Sequence, residues 1–254
     1  MTPGATYDVW VYNLARGNAR RFVSQGSNQF PIWTPDGKRV TYRATRAGSR
    51  NVFWRMADGS GDEHRLTTGE GNHAPGSWSP NGDVLLFVSA AEGLDIMSFT
   101  LPARETRSFI QTRFFDGVPQ FSPDGQWVAY VSDESGRQEV YVQPYPGPGA
   151  KWPISTEGGT EPVWNRNGGE LFYRSGNTMM AVDVATKPVF RPGRPERLFT
   201  GDYLLASTTY PNYDISRDGR FLMVKPSRQE NATSNQIIVT LNWFDELKRL
   251  VPLK

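Results

Sequence analysis

Oxygen-bearing side chains recur at two fixed offsets in this chain, and they are the residues best equipped for chemistry. Asp116, Glu161, Asn28 and Asn212 stand three or five positions ahead of a bulky residue that is itself followed by a tight turn. Two carboxylates with amide oxygens and water satisfy a hard cation such as Ca²⁺, which takes about 6–8 oxygen ligands. A calcium ion held by Asp116, Glu161, Asn28 and Asn212 would polarise an ester or lactone carbonyl and acidify a bound water. His73 occupies one of the same offsets. Its imidazole titrates near neutrality and would serve as general base beside Asp116 and Glu161. Asn28, Asn72, Tyr210 and Asn212 would hold the ligand. Plainer readings stand beside these: Asp116-Gly117 as a turn, Glu161 as a solvated loop acid, His73 as a hydrogen-bonded loop residue. No G-x-S-x-G elbow is present to support a serine nucleophile.

A repeated phrase supplies the ruler for those offsets. It reads Thr34-Pro35-Asp36-Gly37, Ser79-Pro80-Asn81-Gly82 and Ser122-Pro123-Asp124-Gly125, then loosens to Asn165-Arg166-Asn167-Gly168 and Ser216-Arg217-Asp218-Gly219. The glycines are spaced by 45, 43, 43 and 51 residues. That period predicts four-stranded propeller blades. Proline presets φ, and Asp-Gly or Asn-Gly supplies the left-handed conformation that reverses the chain. The turn aspartates are therefore structural. Ahead of each turn stands an anchor, Trp33, Trp78, Phe121, Trp164 or Ile215, suited to packing between blades.

Near-continuous apolar runs at 40–42, 84–88, 127–131, 171–173 and 221–224 predict second strands buried on both faces. Third strands are expected at 51–56, 95–101, 139–143, 178–184 and 236–241. Fourth strands follow at 63–66, 106–110, 151–154 and 196–199. Segments 7–14 and 19–23 read as a third and a fourth strand with no first or second strand ahead of them. They are expected to complete the blade begun at 211–241 and so close the ring, since open sheet edges invite aggregation. A sixth, partial blade and pairing with a second molecule are the alternatives. Trp243, Leu247 and Leu250 share one helical face, which predicts a short C-terminal helix. The first strands of a propeller line its channel. Counting back three residues from each anchor gives Phe30, Pro75, Val118, Glu161 and Asn212. Counting back five gives Asn28, His73, Asp116, Gly159 and Tyr210. These are expected to form two rings around the channel mouth.

Bulk composition narrows the partners. The 254 residues carry 28 basic and 26 acidic side chains, a net charge of +2 too evenly mixed for a nucleic-acid footprint. Mean hydropathy is −0.54, and no apolar run is long enough for a membrane span. Cysteine is absent, which removes disulfides and thiol chemistry. Met1-Thr2-Pro3-Gly4 shows no basic region leading into an apolar run, so no signal peptide is visible.

Pro31-Ile32-Trp33-Thr34-Pro35-Asp36-Gly37 and Pro119-Gln120-Phe121-Ser122-Pro123-Asp124-Gly125 resemble the WD40-like PD40 repeat of TolB-type β-propellers, over residues 30 to about 225. Residues 141–164 and 237–252 are similar to the C-terminal propeller segment of some bacterial serine/threonine protein kinases, although no kinase motif is present. The resemblance implies a soluble bacterial protein of the cytoplasm or periplasm, engaged in protein contacts or ligand sensing. Propellers of related shape include calcium-dependent lactonases and esterases, and no catalytic motif of theirs matches here. The expected molecule is a single all-β domain over 1–254, a propeller of five blades, or six with a partial one. Two functions follow. The first is a binding module for a protein partner or small ligand at the channel mouth, monomeric or homodimeric. The alternative is a Ca²⁺-assisted hydrolase of a lactone or carboxylic ester.

Overall fold

The computed structural model describes residues 6–91, 93–205, 210–216 and 218–226. Every regular element within them is a β-strand. Strands β1 (Val9–Asn13) and β2 (Asn18–Val23) pair only with each other. Blade one follows as β3 (Asn28–Trp33), β4 (Arg39–Arg46), β5 (Ser49–Met56) and β6 (His64–Arg65). Blade two comprises β7 (Ala74–Trp78), β8 (Val84–Ser89), β9 (Asp95–Thr100) and β10 (Glu105–Ile110). Blade three comprises β11 (Asp116–Phe121), β12 (Trp127–Ser132), β13 (Glu139–Pro144) and β14 (Trp152–Pro153). Blade four contains β15 (Thr160–Trp164), β16 (Glu170–Ser175) and β17 (Thr178–Ala185). Its outer strand is split into β18 (Arg191–Pro192) and β19 (Glu196–Thr200), which pair with opposite ends of β17. A last hairpin, β20 (Tyr213–Ile215) and β21 (Phe221–Met223), is again two-stranded. All these pairings are antiparallel, as a multi-blade propeller requires.

The turn phrase works through its hydroxyl as much as through its Pro and Gly. Thr34 Oγ1 donates to Asp36 Oδ1 at 2.6 Å and accepts from Arg39 N at 3.0 Å. Ser79 and Ser122 repeat the pattern with Asn81 and Asp124, and with the amides of Val84 and Trp127. One side chain thus ties both ends of the turn, while the left-handed backbone falls on glycine, as at Gly37 with φ +67°. These bonds also hold the Asp36 carboxyl below its ordinary range, the hydroxyl of Thr34 contributing most.

Packing is organised by seams rather than around one central nucleus. Separate apolar clusters fill the spaces between consecutive sheets: Val9, Phe22 and Val23 against Tyr42 and Phe53, for instance, and Trp164 and Phe190 beside Trp127. The anchors close these seams. Trp78, Phe121 and Trp164 are 7%, 8% and 6% exposed, and Ile215 is buried. Trp78 stacks on Trp54 of the preceding blade at 5.7 Å and donates its indole N–H to Thr41 Oγ1 at 3.0 Å. Trp33 departs from the expectation and is 53% exposed. Only the two-stranded β1–β2 sheet precedes blade one among the described residues, and it leaves this anchor uncovered.

The expected second and third strands of blades one to four are present, and the fourth strands are short, as two-residue β6 and β14 illustrate. The split of the outer strand of blade four was not legible. The third strand at 236–241 and the helix at 243–250 lie outside the described residues. So does any direct strand pairing between 7–23 and the C-terminal blade by way of 236–241.

Candidate ligand channel

The first strands of blades one to four carry an irregularity at the same place. Register shifts fall between Gln29 and Ile32, Pro75 and Ser77, Gly117 and Gln120, and Thr160 and Val163. In three of the four, a non-glycine residue takes the left-handed conformation: Phe30 at φ +58°, Val118 at +52° and Glu161 at +56°. Such a φ is a true outlier for a β-branched or bulky residue and costs of order 1–3 kcal/mol. Its recurrence at one repeat position marks it as a β-bulge of the fold, an extra residue that re-aims the strand. Downstream of the bulge the strand alternates simply. The anchor enters the seam, and the residue just before it faces the centre.

That geometry builds a central cavity of about 420 Å³. Its wall includes one residue from each first strand, immediately ahead of the anchor: Ile32, Ser77, Gln120, Val163 and Asp214. Trp33, Tyr210 and Arg166 add an aromatic and a charged flank. Gly76 marks how tightly the inner strands converge, since a Cβ there would lie 2.5 Å from Pro119 Cγ. None of the five ring residues is buried. Part of the ring is already engaged: Ser77 Oγ accepts from Phe121 N at 2.9 Å, and Asp214 Oδ1 from Ile215 N at 2.7 Å.

Most of the expected site residues lie elsewhere. Asn28, His73, Asp116 and Glu161 are all buried and none lines this cavity. Asn28 accepts from Arg46 Nη2 at 3.0 Å and donates to Gln25 O at 3.1 Å. Asp116 Oδ2 accepts from Thr112 Oγ1 at 2.6 Å, and burial pushes its carboxyl above the ordinary range. Glu161 Oε2 accepts from the Asn212 amide at 2.9 Å, and its carbonyl from Tyr213 OH at 2.8 Å. Asn72 is exposed. Of the ten ruler positions only Tyr210 reaches the cavity, where its ring packs on Phe30 at 4.6 Å. Among the described residues no three His, Asp or Glu side chains converge on a point where a metal could sit. Asn28 and Asp116 are held by Arg46 and Thr112, while Glu161 and Asn212 meet across two blades through the hydrogen bond from the Asn212 amide to Glu161 Oε2.

His73 has a packing role. Its Nδ1 lies 3.1 Å from Asn51 Oδ1 and 3.0 Å from Thr67 Oγ1, and its ring meets Phe87 edge-on at 5.0 Å. Burial, seconded by Arg65, lowers its pKa from 6.5. The folded state therefore favours neutral imidazole. Stability from this residue is complete above pH 6.5 and is lost as pH falls toward the depressed folded value. Denaturation curves between about pH 7.5 and pH 5 should show a downward slope that flattens in His73→Gln. Equal slopes would remove His73 from the pH response.

The architecture is that of a β-propeller, similar in fold to TolB. No family model matches the chain. The TolB protein of Acinetobacter baumannii superposes with a TM-score of 0.68 at 16% identity, over 87% of this chain and 54% of that one. A puromycin-hydrolyzing peptidase of Mycobacterium tuberculosis gives 0.58 at 17% identity, over 82% and 38%. In sequence, the Agrobacterium fabrum protein Atu1656 is 29% identical over 125 residues, 49% of this chain and 42% of that protein. The chain thus spans less than half of that relative's length. No described helix is long and apolar enough to cross a membrane.

Proposed function

We propose that this propeller is a binding module whose ligand enters the central channel and is read by Ile32, Ser77, Gln120, Val163 and Asp214. The carrying observation is the ring itself: five equivalent positions hold five different side chains, around a cavity of about 420 Å³. A concave site with apolar and aromatic walls and a few polar groups is the usual form of a specific ligand pocket. Trp33 and Tyr210 offer flat surface for an aromatic or proline-bearing segment, and Arg166 and Asp214 offer charge of both signs. The matching ligand is a short peptide segment of a partner protein, or a small molecule of similar character.

A thermal-shift screen of short aromatic and proline-containing peptides tests this. A ligand at about 100 times its Kd stabilises by roughly 2.7 kcal/mol, about 5–11 °C for a chain of this size. Gln120→Trp, which fills the channel, should abolish that shift and leave the unliganded Tm in place. The competing reading, calcium-assisted hydrolysis, is followed in parallel with p-nitrophenyl esters and lactones, with Ca²⁺ and with a chelator. Calcium-dependent turnover that disappears in Asp116→Asn would overturn the binding reading.

A further inference from the structure

Arg174 is among the largest fully buried side chains, only 1% exposed. It stands on β16 next to the turn into β17, away from the hydroxyl-bearing turn phrase. Alternation along β16 puts Arg174 on the same side as Phe172, which packs with Tyr213, Ile215 and Phe221 in the seam between blade four and the last hairpin. A guanidinium carries five N–H donors and no acceptor. One donor of Arg174 is used, Nη2 donating to Gly176 O at 3.1 Å. Its Nε and Nη1 meet no hydrogen-bond partner. No ion pair among the described residues includes Arg174. Glu161, in the bulge of β15, turns its Oε2 to the Asn212 amide instead.

The Tyr203 ring lies 5.8 Å from the guanidinium carbon of Arg174 and 5.4 Å from Lys225 Nζ, so two cations share one aromatic ring. Tyr203 is itself buried and seated against Gly201, where a Cβ would come 2.6 Å from its Cε2. A desolvated charge without a partner is the costliest buried group, and folded proteins keep one where something compensates it. We propose that Arg174 anchors a second ligand site, separate from the channel ring, where its guanidinium takes an oxyanion (a carboxylate or a phosphate) in the seam between blade four and the last hairpin. The bond to Gly176 uses a single Nη2 hydrogen. Whichever hydrogen that is, one complete two-donor fork remains, Nε with Nη2 or Nη1 with Nη2. Such a fork matches two oxygens of a carboxylate or phosphate. Lys225 adds positive potential nearby, which draws anions to the seam. Tyr203 forms the outer wall, so its side chain must swing aside for the anion to enter.

Thermal melts of the full chain test this at constant ionic strength, with chloride replaced stepwise by inorganic phosphate or by acetate. A saturable rise in Tm is expected with at least one of the two, roughly 5–11 °C at a hundred times Kd. A response to phosphate alone assigns a phosphate ligand, and a response to acetate assigns a carboxylate. Such salts also stabilise proteins in general. Arg174→Met, which keeps the bulk of the side chain and removes its charge, measures that background. Arg174→Lys keeps the charge and loses the fork, and should need at least tenfold more anion. No saturable rise with either anion, or an equal rise in Arg174→Met, would overturn the proposal. The unaltered chain gives a reading that needs no variant to fold. The Arg174 Nε–H resonance of ¹⁵N-labelled protein should move as the effective anion is added, and a resonance that stays in place with both anions would reject the site.

Discussion

Trp78→Ala is expected to lower the melting temperature by roughly 6–20 °C, while Trp33→Ala, at the same repeat position, shifts it by less than about 2 °C. The difference is one of surroundings. Trp78 is buried in the seam between blades one and two, stacked on Trp54 and bonded to Thr41. Truncation there removes a large apolar contact, opens a cavity and leaves the Thr41 hydroxyl without its donor, about 3–5 kcal/mol together. Trp33 is largely exposed and faces the channel and the neighbouring groove. Its loss should register in ligand affinity instead. Differential scanning calorimetry of both variants measures the contrast, and equal shifts would show that the seams do not carry the stability.

Glu161→Leu should destabilise by roughly 1.5–3 kcal/mol, the range for a hydrogen bond to a charged group, or about 3–12 °C. The carboxylate accepts the Asn212 amide and so fastens the entry of β20 to blade four. Leucine fills similar space but leaves that donor without this acceptor. Glu161→Gln keeps an acceptor and should recover most of the loss. A catalytic Glu161 would behave differently, leaving the melting temperature unchanged and abolishing turnover in both variants. Measuring Tm alongside ester hydrolysis separates the two roles.

Much of the fold was legible because its signals are local. The hydroxyl-Pro-Asp-Gly phrase sets each turn within five residues, and the apolar runs behind it mark strands buried on both faces. The outer strands were harder. β18 and β19 share β17 between them, an arrangement made by pairing across the sheet rather than by any residue pattern in 191–200. All the ruler positions but Tyr210 fall away from the central cavity for a specific reason. Counting back from the anchors by three and five assumes unbroken alternation, and the bulge inverts the phase between those positions and the anchor. Nothing in Phe30, Pro75, Val118 and Glu161 announces the bulge, because the four share no chemistry. The better signal lay one residue from each anchor. Bulky residues recur at the anchor, whereas Ile32, Ser77, Gln120, Val163 and Asp214 vary freely beside it. Period-two geometry alone places such neighbours on the opposite face, toward the centre.

That ring divides the heritable variation of the molecule into two independent accounts. Anchors, turn hydroxyls and bulges lie in seams and turns, where a substitution is felt as folding. The five positions ahead of the anchors line the channel, and those such as Gln120, whose side chain holds no part of the fold, are where drift would alter the proposed recognition with the least effect on how the chain assembles. A lineage of such propellers can diverge in specificity by changing one residue per blade, and an experimenter can do the same with a library confined to those five codons.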